Sequence, residues 1–119
     1  MNCERAQRKD DVMPQNWIKV CDENDLEEES VAAFDHDGTT YAVFRSPEGS
    51  YHVTDGHCTH EPRHLAKGLV LGDEVECSAH CGRFNYKTGQ ALQIPAKTDL
   101  RTWPVKIADG AVWLDIGGH

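Results

Sequence analysis

Residues 31–56 read VAAFDHDGTTYAVFRSPEGSYHVTDG. Three runs rich in β-branched and aromatic residues, 31–35, 39–45 and 50–54, are separated by Asp37-Gly38 and by Pro47-Glu48-Gly49. Asp-Gly is a strong two-residue hairpin signal because both of its positions tolerate positive φ. In the middle run Thr40, Ala42 and Phe44 alternate with Tyr41, Val43 and Arg45, a period of two that predicts strand rather than helix. The same pattern begins at Trp17-Ile18-Lys19-Val20 and returns at 68–71, 74–76, 83–86, 100–107 and 111–116. Gly72-Asp73, Lys87-Thr88-Gly89 and Ala108-Asp109-Gly110 punctuate the later runs. Strong helical periodicity, internal repeats and low-complexity tracts are absent from the sequence. Many short strands at close spacing predict an all-β domain, an antiparallel sandwich or barrel.

A chain of 119 residues is one domain's worth. We expect residues 1–15, polar and ending near Pro14, to be a flexible tail, and 16–119 to be a single domain. The net charge of −8 argues against a nucleic-acid footprint, which needs a basic face. No run of 18 apolar residues predicts a membrane span, and the N-terminus lacks the apolar core of a secretory signal. The expected compartment is the cytoplasm. Thiols stay reduced there, so the five cysteines are expected to be ligands or bystanders rather than disulfides. Six acids crowd residues 22–29, which reads as a solvated loop or as a docking patch for a basic partner.

Residues 55–84 depart from this plain strand-and-turn pattern: DGHCTHEPRHLAKGLVLGDEVECSAHCGRF. Cys58-x-His60 is followed, sixteen residues on, by Cys77-x-x-His80. Gly56 and Pro62 flank the first pair and Gly82 the second, so each pair sits in a turn-rich loop. The runs on either side of Gly72-Asp73 form a hairpin between them, which presents the two loops side by side. Two thiolates and two imidazoles suit tetrahedral zinc. They equally suit a Rieske 2Fe–2S cluster, in which two histidines replace two cysteines on one iron. Glycine-containing loops that can aim N–H groups at inorganic sulfide favour the iron–sulfur alternative.

The residues CTH at 58–60, CSAH at 77–80, GRFNYKTGQAL at 82–92 and Pro95 resemble the Rieske-type ferredoxins of bacterial multicomponent oxygenases. The resemblance extends over about 17–116 and implies an all-β Rieske domain. A small cluster-binding subdomain, about 55–95, would be built from two hairpin loops. It implies one [2Fe–2S] cluster held by Cys58, His60, Cys77 and His80, with the histidines outermost as the electron portal. It also implies partners: a flavin-containing reductase that supplies single electrons and a terminal non-haem iron oxygenase that receives them. A monomeric shuttle suits that traffic, with neither nucleic acid nor membrane as partner. Two positions depart from the family pattern. Ser78 stands where the family usually has proline, and Cys81 where glycine is common.

The remaining cysteines and histidines are read as bystanders. Cys81 adjoins His80, and neighbouring side chains in a tight loop point apart. The inter-loop cysteine staple of quinol-oxidising Rieske proteins has no counterpart, since those positions hold Ala79 and residues such as Pro62 and Arg63. His57 and His64 read as polar loop residues at the cluster rim, with a docking or proton-handling role as the alternative, His36 as a turn residue and His119 as a terminal one. Cys21 reads as a small strand-end residue, Cys3 as a tail thiol, and Trp103 and Trp113 as core. High-potential Rieske proteins resemble one another in a hydroxyl residue two positions, and a tyrosine four positions, after the second histidine. Here those are Gly82 and Phe84. Fewer hydroxyl donors to the sulfurs imply a potential toward the lower end of the range of roughly −150 to +300 mV. Three rival readings compete with this one. An oxygenase catalytic subunit needs two further histidines and a carboxylate, and only His119 follows His80. The others are a Cys2His2 zinc module and the Rieske small subunit of another redox enzyme, such as a nitrite-reductase-like one.

Overall fold

The computed structural model describes residues 17–59, 63–78, 82–93 and 98–117. The expected tail and Cys3 lie outside them. So do His60, Ala79, His80, Cys81, Pro95 and His119. Eleven strands are described, in chain order β1 (Trp17–Asp22), β2 (Ser30–His36), β3 (Thr39–Arg45), β4 (Tyr51–Asp55), β5 (Leu69–Leu71), β6 (Glu74–Glu76), β7 (Arg83–Asn85), β8 (Ala91–Gln93), β9 (Thr102–Trp103), β10 (Val105–Ala108) and β11 (Ala111–Asp115). A single 3₁₀ turn, Leu65–Lys67, precedes β5. Among the described residues no helix is long and apolar enough to cross a membrane.

Among the described residues all pairings are antiparallel and form three sheets. Two make the body, in the orders β9-β4-β3-β2 and β10-β11-β1; the third, β5-β6-β7-β8, carries the second cysteine loop. The turns behave as their residues predict. Asp37-Gly38 and Asp109-Gly110 both have positive φ at both positions, the requirement of a type I′ hairpin. Strand β3 is central to the body sheet and holds two cores apart. Ala42 and Phe44 face one, with Cys58, Leu65, Val75, Cys77, Phe84 and Tyr86. Tyr41 and Val43 face the other, with Tyr51, Val53, Val112 and Leu114. The period of two is therefore real, but both of its faces are buried from 41 to 44.

Some local readings change. The run 100–107 is two strands, because Pro104 cannot donate to a ladder and hands pairing from β4 to β11. Strand β8 adds to the expected runs; it is held by β7 and by the Asp99 carboxylate, which accepts from Ala91 N–H at 2.8 Å. His36 ends a strand rather than sitting in a turn, and its ring stacks on Phe34 at 6.5 Å. Cys21 lies within β1, half-buried, where desolvation raises its thiol pKa. The acidic stretch is exposed but anchored. Arg45 Nη1 donates to the Leu26 carbonyl at 2.8 Å, Tyr51 Oη to that of Glu23 at 2.7 Å, and the Glu29 carboxylate accepts from Gly72 N–H at 2.9 Å.

Candidate metal centre

Two loops carry the predicted ligands, and both close in the same way. Cys58 N–H donates to the carbonyl of Arg63 at 2.9 Å, and Cys77 N–H to that of Gly82 at 2.7 Å. One residue further out, His57 pairs with His64 in an isolated antiparallel bridge, and Glu76 pairs with Arg83 where β6 meets β7. Each cysteine thus occupies the same corner of a loop. Both side chains are buried, Cys58 at 4% exposure and Cys77 at 2%, in one apolar cluster. The next residues, Thr59 and Ser78, are exposed, so each loop leaves the core at its cysteine and emerges at once into solvent. Neither cysteine is in a disulfide among the described residues. His60 and His80 fall within these loops and outside the described residues.

Two buried, reduced thiols at matched corners form a soft donor pair that suits iron–sulfur or zinc. The apolar cluster behind them excludes water on that side and lowers the local dielectric, conditions that shape a bound cluster's potential. The donor set therefore fits a thiolate-held centre.

The first loop is held by contacts that the spacing did not show. Gly56 N–H donates to the Thr40 carbonyl at 3.0 Å, and Leu65 N–H to the Gly56 carbonyl at 2.8 Å. A Cβ on Gly56 would stand 2.8 Å from His64 Nε2 and 2.8 Å from the Thr40 methyl, so only glycine lets the strands approach this closely. His64 Nδ1 accepts from Ala66 N–H at 3.0 Å and caps the 3₁₀ turn. Its Nε2 lies 2.9 Å from Thr40 Oγ1. Since Nδ1 accepts, the ring proton sits on Nε2 and is donated to the hydroxyl. Burial, and then the neighbouring His57, hold this imidazole below the ordinary histidine value. The reading of His64 as a rim residue is thus corrected: it is a half-buried cap with both nitrogens committed. His57 is exposed, its ring edge-on to His64 at 5.6 Å between centroids.

The second loop rests on a sheet. Behind the Glu76–Arg83 pair stand Val75–Phe84 and Glu74–Asn85. Arg83 Nε lies 3.5 Å from Glu76 Oε2, and its Nη1 3.8 Å from Glu74 Oε1. Gly68 fits where a Cβ would stand 2.2 Å from the Glu76 carbonyl oxygen, one residue before Cys77. Gly82 and Phe84 are buried and carry no hydroxyl. The hydroxyl of Tyr86 donates to the Gly72 carbonyl at 2.5 Å, away at the β5–β6 turn, and burial followed by Asp73 pushes its pKa up to about 12. That ring stacks on Phe44 at 4.6 Å and 4°, closing the floor of the cluster.

The sequence from 16 to 104 matches the family model of the Rieske [2Fe–2S] domain. The chain is 38% identical over 102 residues to the ferredoxin component of the naphthalene 1,2-dioxygenase/salicylate 5-hydroxylase systems of a Ralstonia species, covering 86% of this chain and 97% of that one. Among solved structures it resembles the ferredoxin of Sphingomonas yanoikuyae B1, with a TM-score of 0.79, 32% identity, and coverage of 84% of this chain and 98% of that one. It also resembles a chain from the complex of reduced oxygenase and oxidised ferredoxin of carbazole 1,9a-dioxygenase. There the TM-score is 0.81 and the identity 30%, with 86% of this chain and 94% of that one covered.

Proposed function

This chain belongs to the Rieske [2Fe–2S] family and carries that family's cluster, and on this premise we propose that it is the soluble ferredoxin of a bacterial ring-hydroxylating or related oxygenase system. Its task is electron transfer rather than catalysis. Electrons come one at a time from a flavin-containing reductase and go to a terminal non-haem iron oxygenase, in the cytoplasm, with this carrier itself a monomer. The ligands are Cys58 and Cys77 from the buried corners and His60 and His80 from the loops that follow them. When bound, the cluster supplies a one-electron store at a potential tuned by hydrogen bonds to sulfur and by exposure.

The observation that carries this reading is the matched pair of corners, two buried thiols each followed at once by an exposed residue. The cysteines fix the centre to the core. Thr59 and Ser78 open to solvent just beyond the cysteines, and the electron enters and leaves on that side. Phe84 and Gly82 offer no O–H donor, and the hydroxyl of Tyr86 is already committed, which supports a potential near the low end of the Rieske range. The acidic surface steers association with basic docking faces and lets the complexes dissociate quickly in salt.

The test is a reductive titration of the purified red-brown protein, followed by reconstitution with a flavin reductase and a ring-hydroxylating oxygenase. The expected result is one electron per chain, an axial EPR signal on reduction, a midpoint below about 0 mV, and oxygenase turnover that depends on this protein. A colourless zinc protein, or a high-potential one that leaves the oxygenase idle, would overturn the reading.

A further inference from the structure

We propose that His64 is a positioning residue for the first cysteine loop: as a neutral imidazole it caps the 3₁₀ turn through one nitrogen and ties the loop's stem to strand β3 through the other, and taking up a proton breaks the cap and so loosens the hold on the bound cluster. The geometry carries this. His64 is paired with His57, which precedes Cys58, and follows Arg63, whose carbonyl receives the Cys58 N–H. From that place it makes two hydrogen bonds of opposite sense. Nδ1 must accept, because its partner is the backbone N–H of Ala66. Nε2 donates to Thr40 Oγ1, twenty-four positions back on β3. Gly56 leaves the gap through which ring and hydroxyl meet.

A second proton has one place to go, Nδ1. There it would face the Ala66 N–H donor to donor, so the cap on the 3₁₀ turn is lost. An open cleft of about 500 Å³, lined by Asp35, Thr39, Thr40, His57 and His64 among others, brings solvent to the ring. The groups around it are mixed. His57 from the paired loop strand and Lys67 from the 3₁₀ turn oppose the proton, while Asp35 from β2 and the Tyr41 backbone on β3 favour it. Burial outweighs them and keeps the folded value below the ordinary 6.5. A group whose value is lowered by folding supports the fold fully above the unfolded value. That support is lost as pH falls from about 6.5 toward the folded value.

The inference rests on the reading that Cys58 and His60 bind the cluster. The experiment follows the loss of visible absorbance from the oxidised holoprotein in the presence of an iron chelator, between about pH 5 and pH 7.5, either side of the free histidine value. Wild type should bleach about fivefold faster or more at the acid end. His64→Asn keeps a capping acceptor but cannot take up a proton. Its rate should change less than about twofold across the same range. Thr40→Val removes the acceptor for Nε2–H, and should make the neutral rate approach the wild-type acid rate. A His64→Asn protein with the full wild-type acid acceleration would overturn the proposal. Where the variants do not load a cluster, hydrogen exchange of wild-type holoprotein decides. Protection in the peptide 63–68, corrected for the intrinsic rate, should fall at acid pH, and unchanged protection would overturn the proposal. If Cys58→Ser keeps its cluster, the ligand reading falls, while the exchange result still judges the clamp.

Discussion

The two cysteine loops share a frame and differ in what holds it. Loop 77–82 closes a hairpin inside a four-stranded sheet, with three consecutive backbone pairs behind it. Loop 58–63 leaves body strand β4 and returns to a one-turn 3₁₀ segment, and the pairing behind it is a single bridge. One backbone bond, Gly56 N–H to the Thr40 carbonyl, and two side chains make up the deficit. His64 reaches the body at Thr40, and Thr59 Oγ1 donates to the Thr98 carbonyl at 2.7 Å. A backbone ladder tolerates most substitutions because its groups belong to every residue. A side-chain clamp depends on named residues and on their protonation. The first loop is therefore the more vulnerable to point mutation and to acid, although both loops present their cysteines alike.

The largest effect tests the part of the comparison in which the loops are equal. Cys58→Ser and Cys77→Ser should each lower bound iron and visible absorbance by more than about tenfold, since each removes a ligand itself and not an outer-shell contact. Cys21→Ser, far along β1 in the other core, should keep both. Iron analysis of the three purified variants settles it. Retention of the cluster by one of the two loop variants would mean that the corners are not equivalent.

The next effect separates the supports. An alanine at 68 meets the Glu76 carbonyl at 2.2 Å, and that oxygen is fixed in the β5–β6 ladder. Gly68→Ala should cost about 1–3 kcal/mol by overpacking, read as a fall in melting temperature of roughly 4–8 °C per kcal/mol in a domain of about this size. Gly56→Ala instead meets the His64 ring and the Thr40 methyl at 2.8 Å, though Thr40 backbone carbon lies at 2.9 Å. These contacts are milder than the 2.2 Å at Gly68 and the ring can swing aside, although the Thr40 backbone must also give. The melting temperature of this variant should therefore fall less, while its cluster should be lost faster because the swing breaks the clamp. Equal bleaching rates in the two variants would erase the distinction between ladder and clamp.

What the sequence makes legible follows the same division. The strands of the body and the hairpins at Asp37-Gly38 and Gly72-Asp73 are local signals, and they stand where the period of two and the turn residues put them. The cysteine spacing places Cys58 and Cys77 at matched corners because a hairpin lies between them. The roles of His57 and His64 are not legible. Both flank the same motif, and the difference is made by Thr40 from another strand and by a missing Cβ at Gly56. Strand β8 is hidden for a like reason: three residues carry little pattern, and its register comes from β7 and Asp99. The strand break within 100–107, by contrast, was written in the sequence at Pro104, whose lack of an N–H outweighs the apolar run around it.

The smallest effects concern the outer contacts of each loop, and salt tells them apart. Thr59→Ala removes one neutral hydrogen bond from the first loop, worth about 0.5–1.5 kcal/mol net. Arg83→Ala removes partly exposed ion pairs to Glu74 and Glu76 beside the second, worth about 0–1 kcal/mol. At low ionic strength the two variants should melt at nearly the same temperature, each a few degrees below wild type. Raising the salt to about 1 M shortens the Debye length to roughly 3 Å. The deficit of Arg83→Ala should then shrink, because the wild type loses the same attraction, while that of Thr59→Ala persists. A melting series in salt checks this. Should the Arg83→Ala deficit persist unchanged, its stem packing against β6 rather than its charge would support the second loop, and that loop too would depend on a side chain.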